Sequence, residues 1–462
     1  MAGRERMASM DAAWLQMEEP ANLMMITAVL WFDGAVDRER LLTVLRERLV
    51  ERYPRFRQRV VPGPLGAPHW EDAPDFQLEE HLSTLRVPAS TGLAGLEALV
   101  GDWMGVPLER SRPLWHFHLV HGAQRGDVLL ARLHHCMADG IALARVLLSL
   151  TDPVDAAGAP ESPEAPEVWS EGPPSEVERR PQAPGWMRLA RGARSALRKG
   201  AELVREPILA GDLVREGAKG AAALGKLLVL PPDPRSPLRG PLGLRKLAAW
   251  SEPIALERVK AVGRTLGGTV NDVLLTAVTG ALRRYLATRD APLEDVHALV
   301  PVNLRPLDAP VPRELGNRFG VVFLRLPVHL AEPRRRLREV AKRMAHLKRS
   351  PEAVLTSGML ELLGHTPAAL ERVVVDVMGT KASLVATNVP GPRKPVSLAG
   401  TKLEGLTFWV PQAGHVGLGI SLFSYAGQVT VGVASDASRV PDPGDLVSAF
   451  QEELAALETT VP

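Results

Sequence analysis

Apolar positions along the chain follow two rhythms. Short, nearly unbroken apolar runs read as buried strands, and runs with apolar residues three or four apart read as helices. Residues 24–32 (Met-Met-Ile-Thr-Ala-Val-Leu-Trp-Phe) are of the first kind. Asp37 then caps a helix with Leu41, Leu45 and Leu49 on one face. From Leu114 to Val120 the chain alternates, with Trp115, Phe117 and Leu119 on one side. A turn over 121–126 leads into a second apolar run at 127–133, so the two runs predict a hairpin. From Ile141 to Leu150 the spacing is helical again.

The second half repeats the alternation. Helices are expected from Ile254 to Leu266 and over the run containing Leu274, Leu275, Val278, Leu282 and Tyr285, with Thr269 and Asn271 as cap residues. Strands are expected at 297–303, 320–328, 383–387, 406–410 and 415–434, the last broken by a turn at Ala426-Gly427. Arg334 to Lys348 reads as a basic, solvated helix, and 442–458 as a terminal helix. Strands mixed with helices argue for an α/β protein.

Between the halves the pattern fails. Eight prolines interleaved with Glu, Ser and Gly over 152–184 predict an extended linker without a core. Beyond it, Trp186, Leu189 and Leu197 lie on one side of a helical pattern, with Arg188, Arg191, Arg194 and Arg198 on another. With nine basic and four acidic residues over 185–230, this helix is expected either to lie on a lipid surface or to pack across the two domains with its arginines in water. At 462 residues the chain exceeds one ordinary core. The division expected is an N-terminal domain over 1–150, the linker and basic segment over 151–245, and a C-terminal domain over 246–462.

Composition removes several classes. A net charge of +2 gives no general affinity for nucleic acid. The single cysteine, Cys136, excludes an intramolecular disulfide and fits a reducing cytoplasm. The N-terminus lacks the apolar run of a signal peptide, and no stretch reaches the ~18 apolar residues of a spanning helix. A soluble or surface-bound cytoplasmic protein is expected. His116 and His118 share a strand face, but no further ligands follow at a recognisable spacing, so no metal is expected. Arg52 to Arg59 is basic and partly aromatic, and reads as a solvated helix end rather than a phosphate site.

The chemistry concentrates where the 127–133 strand ends, in His134-His135-Cys136-Met137-Ala138-Asp139-Gly140. An imidazole there, with an ordinary pKa of ~6.5, suits a general base near neutral pH. Adjacent residues on extended backbone point apart, so one histidine is expected to be catalytic and the other structural. A base with that pKa predicts activity that rises with pH through its titration. Gly140 is expected to permit a tight turn. Asn271, at a helix start, could steady a developing oxyanion or merely cap the helix. A Cys136 nucleophile is disfavoured by its adjacency to His135, and a serine hydrolase by the absence of Gly-x-Ser-x-Gly.

The motif resembles the active-site signature of the CoA-dependent acyltransferase superfamily, which includes chloramphenicol acetyltransferase and peptide-synthetase condensation domains. The nearest likeness is to the bacterial wax ester synthase/diacylglycerol acyltransferases. It is carried also by Met10-Asp11-Ala12-Ala13-Trp14-Leu15, Pro113-Leu114-Trp115, Thr269-Val270-Asn271-Asp272, Pro301-Val302-Asn303-Leu304-Arg305, Gly316-Asn317-Arg318-Phe319-Gly320 and Asn388-Val389-Pro390-Gly391-Pro392. The one small departure is Thr387, where relatives often carry serine. The resemblance implies a two-domain fold of mixed sheets like chloramphenicol acetyltransferase, with the active site in a tunnel between the domains. It implies transfer of a long-chain acyl group from acyl-CoA, as co-substrate rather than cofactor, to a long-chain alcohol or a diacylglycerol, at a membrane or lipid-droplet surface. It assigns the base to His135, with His134 in support, and an organising role through an ion pair to Asp139. A condensation-type enzyme using carrier-bound acyl groups is the alternative within the superfamily, and a non-catalytic lipid-binding protein the alternative outside it.

Overall fold

In the computed structural model, residues 4–460 are described except 64–66, 124, 155–230, 305–312, 351, 364–367 and 413. The Pro-rich linker and the basic helix expected at 186–204 lie outside the described residues.

Two seven-stranded mixed sheets carry the fold. The first runs in the order Leu82–Arg86, Trp115–His121, Val128–His134, Met25–Phe32, Thr401–Trp409, Val396–Leu398 and Asp152–Pro153. The expected hairpin is present, with Trp115 opposite Leu133 in antiparallel register. Trp115, Phe117 and Leu119 are fully buried, as their alternation requires. Asp37 caps the Arg38–Val44 helix by accepting from the Arg40 amide at 2.8 Å. That helix passes into a π-helical stretch, Leu45–Val50, which keeps Leu41, Leu45 and Leu49 in the core.

The second sheet runs Ile254–Ala255, Gln428–Asp436, Leu418–Tyr425, Leu384–Pro390, Val296–Asn303 and Phe319–Leu326, with Lys246–Trp250 also paired to Gln428–Asp436. The turn expected at Ala426-Gly427 is a two-residue hairpin with both φ values positive, 45° and 77°. The Val270–Ala287 and Pro443–Thr459 helices pack together on this sheet. The second core includes Leu274, Leu282, Ile420 and Phe450.

The sheets do not respect the chain boundary expected at 246. Thr401–Trp409 leaves the C-terminal half and pairs antiparallel with Met25–Phe32, so a strand from after residue 400 completes the first sheet. Its side chains explain the placement: Leu403, Leu406 and Phe408 are buried in the first core. Trp409 turns the other way and joins Trp250, Val29 and Leu130 in a small third cluster.

Two expectations about charged residues resolve into packing. Arg55, from the basic 52–59 stretch, is buried, lies 4.6 Å over the Trp70 ring and bonds Glu5 at 2.8 Å. It is therefore not part of a solvated helix end. His118 stacks on Trp103 and bonds Ser83 Oγ at 2.6 Å, while His116 reaches the same hydroxyl at 3.2 Å. Burial lowers these imidazoles to about 3 and about 4.

At the edge of the second sheet, the Glu352–Leu363 helix covers Phe319–Leu326. Thr356 Oγ1 accepts from the Val321 amide at 2.9 Å and Glu352 Oε1 from the Phe323 amide at 3.0 Å. These bonds occupy edge amides that would otherwise be free to pair. Gly320 makes this approach possible, because a Cβ there would overlap the carbonyl oxygen of Ala353. Gly320→Ala is expected to cost about 1–3 kcal/mol through overpacking. Urea unfolding checks this, and an unchanged midpoint would show that the helix does not depend on the gap.

Candidate active site

The Val128–His134 strand ends at the histidine pair, and the chain turns with the Met137 amide donating to the His134 carbonyl at 3.0 Å. Asp139 then caps the Gly140–Leu148 helix. Its Oδ1 accepts from the Ala142 amide at 2.8 Å and its Oδ2 from the Arg318 amide at 3.0 Å. This one carboxylate thus ties the loop of the first sheet to a segment leading into the second.

The two histidines meet opposite environments. His134 Nδ1 accepts from the Cys136 amide at 3.0 Å, which leaves the proton on Nε2, facing Glu18 Oε2 at 3.0 Å. Burial pushes the Glu18 carboxyl up, but bonds from His134 and Arg110 outweigh it and pull it down to about 2. His134 is therefore clamped, and its ring has no free nitrogen.

His135 is held differently. Its ring stacks on Trp14 at 4.0 Å between centroids and meets Phe319 at 5.7 Å. Trp14 belongs to the Ser9–Gln16 helix and Phe319 to an edge strand of the other sheet, so both halves fix the ring. Burial lowers the imidazole to about 3, opposed by its own carbonyl and the Asn317 side chain. An uncharged imidazole is the result, and the expected rise in activity near pH 6.5 is corrected accordingly. The reason is desolvation, which disfavours the cation.

His135 opens onto an apolar cavity. Trp14, Met17 and Ile141 from the N-terminal half and Leu299, Val321, Leu360, Val375 and Met378 from the C-terminal half line it. Polar atoms are few: His135, Asp139, Asn303, Thr387 and Asn388. A long alkyl chain fits such a lining, with the polar groups left to orient a reacting centre.

Other candidates are placed less directly. Gly140 has no positive φ, so it does not serve a tight turn. Its value is space, since a Cβ would come within 2.9 Å of Val410 Cγ1 on the cavity wall. Asn271 does not line the cavity. The capping box belongs to Thr269 and Asp272, and Asn271 Oδ1 instead accepts from Asn388 Nδ2 at 2.8 Å, steadying a residue that does line it. Cys136 is fully buried, and burial, with the carboxylates of Asp11 and Glu18, pushes its thiol well up. A thiol so held cannot serve as nucleophile. Among the described residues no group of three or more His, Cys, Asp or Glu could hold a metal ion.

Trp14, Asp11, Glu18 and Asn317 do not announce themselves as site residues in the sequence. Asp11, Trp14 and Asn317 do fall in stretches that carry the family likeness, which was the available signal. Glu18 had none.

Two mixed sheets that meet at an apolar cavity beside the His-His-x-x-x-Asp-Gly loop form the mixed α/β fold seen in wax ester synthase/diacylglycerol acyltransferase and condensation-domain structures. Family models sharpen this: residues 7–274 match the wax ester synthase/diacylglycerol acyltransferase catalytic domain, and 315–458 match the C-terminal domain of the same proteins. A probable diacylglycerol O-acyltransferase of Mycobacterium tuberculosis is 30% identical over 98% of this chain and 95% of its own. The wax ester synthase/diacylglycerol acyltransferase of Marinobacter aquaeolei VT8 superposes with a TM-score of 0.70 at 23% identity, covering 99% of both chains. The first condensation domain of the calcium-dependent antibiotic synthetase shares the fold, with a TM-score of 0.60 at 18% identity over 99% of this chain and 96% of its own. The chain belongs to the wax ester synthase/diacylglycerol acyltransferase family. It is an O-acyltransferase, transferring acyl groups from acyl-CoA to a lipid hydroxyl.

Because His135 is neutral well below pH 5, turnover limited by chemistry should be level from pH 5 to 8. The exception is a shallow step from Asp11, which burial raises to about 6. A rise centred near 6.5 that persists in Asp11→Asn would overturn this. Cys136→Ser should keep most activity, and an acyl-cysteine trapped by mass spectrometry would contradict that.

Proposed function

We propose that His135 is the general base that activates the acceptor hydroxyl. The observation that carries this reading is an uncharged, buried imidazole opening onto an apolar cavity between the two halves. In this reading Nε2 takes the hydroxyl proton as the oxygen attacks the thioester carbonyl. The tetrahedral intermediate collapses with loss of CoA, and the imidazolium returns the proton to the departing thiolate. No proton is gained or lost overall, and the chemistry calls for no cofactor or metal. The Trp14 face would stabilise the transient imidazolium by cation–π attraction.

His134, tied to Glu18, anchors the loop in this scheme, and Asp139 fixes it to the segment at Arg318. Asn388 is the polar group offered to the developing oxyanion. Its Nδ2 carries two hydrogens, one of which Asn271 takes, so Asn271 acts through Asn388 as a positioning residue. The acceptor is proposed to be a diacylglycerol or a long-chain alcohol, and the donor a long-chain acyl-CoA. Such acceptors and their products are insoluble, so the protein is proposed to work peripherally at a membrane or droplet surface. No described helix is long and apolar enough to cross a membrane. The basic 185–230 segment is the proposed contact with anionic headgroups.

Purified protein given palmitoyl-CoA with hexadecanol and dioleoylglycerol, products resolved by mass, tests the reaction and reads out the acceptor. His135→Ala should lose on the order of 10²–10⁴-fold in turnover while folding normally. Glu18→Gln and His134→Ala should lose activity together with a lowered Tm, because both loosen the clamp. Wild-type turnover in His135→Ala would remove the base assignment. Separately, flotation with anionic liposomes should weaken with salt and fail when Arg188, Arg191, Arg194 and Arg198 become glutamine. Equal binding by that variant would place the contact elsewhere.

A further inference from the structure

The strand that crosses between the halves, Thr401–Trp409, ends between two pockets of opposite character. Side chains alternate along it, so Phe408 lines the acyl cavity while Trp409 lines a second pocket. The polar side chains of that second pocket are Asn22, Thr27, Lys246, Gln412 and Ser435. Val410 and Pro411, the next two residues, line both pockets. Two residues thus stand between the apolar chamber of His135 and a polar one.

The two sides suit different occupants. In the polar pocket the Lys246 ammonium meets Asp436 Oδ2 at 2.6 Å, and the Gln412 amide donates to the Ala434 carbonyl at 3.4 Å. Walls that carry charged and amide groups give water several partners. On the other side a bound thioester would lie beside His135, where water is a rival to the acceptor. Water and a lipid alcohol present the same nucleophile, a hydroxyl, and water is the smaller of the two. A pocket that admits the alcohol cannot reject water by shape, so water has to be kept out.

Both residues are built for exclusion. A Cβ added to Gly140 would lie 2.9 Å from Val410 Cγ1, so the valine packs directly against the backbone that follows Asp139. Val410 also packs against the first core. Pro411 is buried and has no N–H to offer a water on either side.

We propose that Val410 and Pro411 form the partition that keeps water from the thioester, and so favour transfer over hydrolysis. With the partition open, water takes the acceptor's place: its oxygen attacks the thioester carbonyl carbon while His135 Nε2 takes one proton. The C–S bond then breaks, that proton returns to the thiolate, and the products are free CoA and the fatty acid. The hydrolytic step rests on His135 being the base.

The test gives purified protein palmitoyl-CoA, with and without hexadecanol and dioleoylglycerol, and measures palmitate and acylated products by mass. Val410→Ala should raise the ratio of palmitate to acylated product several-fold, and raise thiol release when no acceptor is present. Pro411→Ala should act in the same direction, and it carries the test if Val410→Ala does not fold. Leu360 lines the acyl cavity but not the polar pocket, so Leu360→Ala should keep the wild-type ratio. A wild-type ratio in both partition variants, or an equal rise in Leu360→Ala, would overturn the proposal. Added to Val410→Ala, His135→Ala should abolish the extra hydrolysis. Extra hydrolysis that survives it would remove the base reading and leave the partition standing.

Discussion

Removing one imidazole from water is the constraint on which the site depends. His135 could not stay uncharged near neutral pH by a wide margin unless both halves of the chain closed over it. Trp14 from the first helix and Phe319 from the second sheet supply that closure. Its neighbour, one residue away, is surrounded by charge instead, with Glu18 and Arg110 in series behind it. Alternation along an extended backbone separates the two environments, so a dry base and a fixed anchor can be adjacent in sequence without sharing a field.

The same closure explains why so few polar groups line the cavity. Two of those that remain are held by neighbours: Asp139 by two backbone amides and Asn388 by Asn271. A mobile polar side chain in an apolar cavity would compete with the substrate for the reacting centre. Fixing these groups from outside the cavity keeps the lining apolar and the reacting centre oriented.

Much of the local architecture was legible in the sequence. The strand ending at His134, the hairpin before it, the Asp37 cap and the Ala426-Gly427 turn all follow from rules that act over a few residues. What could not be read were properties that arise only when distant segments meet. The depressed pKa of His135 comes from burial by residues near 14 and 319. The spatial need for Gly140 comes from Val410, and the use of Asn271 comes from Asn388. The basic residue Arg55 looked solvated because nothing nearby in sequence points to Trp70 and Glu5. The sheet partner of Met25–Phe32 lies beyond residue 400, and period-two patterning carries no address for its partner.

That late partner has a consequence for how the protein comes into being. One edge of Met25–Phe32 stays unpaired until Thr401–Trp409 has been translated. At roughly 5–20 residues per second, the interval lasts on the order of twenty to seventy seconds. Throughout it, a strand rich in Ile, Val, Leu, Trp and Phe presents open backbone groups in a crowded cell. The nascent chain is thus a natural client for a chaperone that shields sheet edges. Slow codons between residues 32 and 401, which lengthen that interval, should harm its yield more than equivalent changes in the terminal helix.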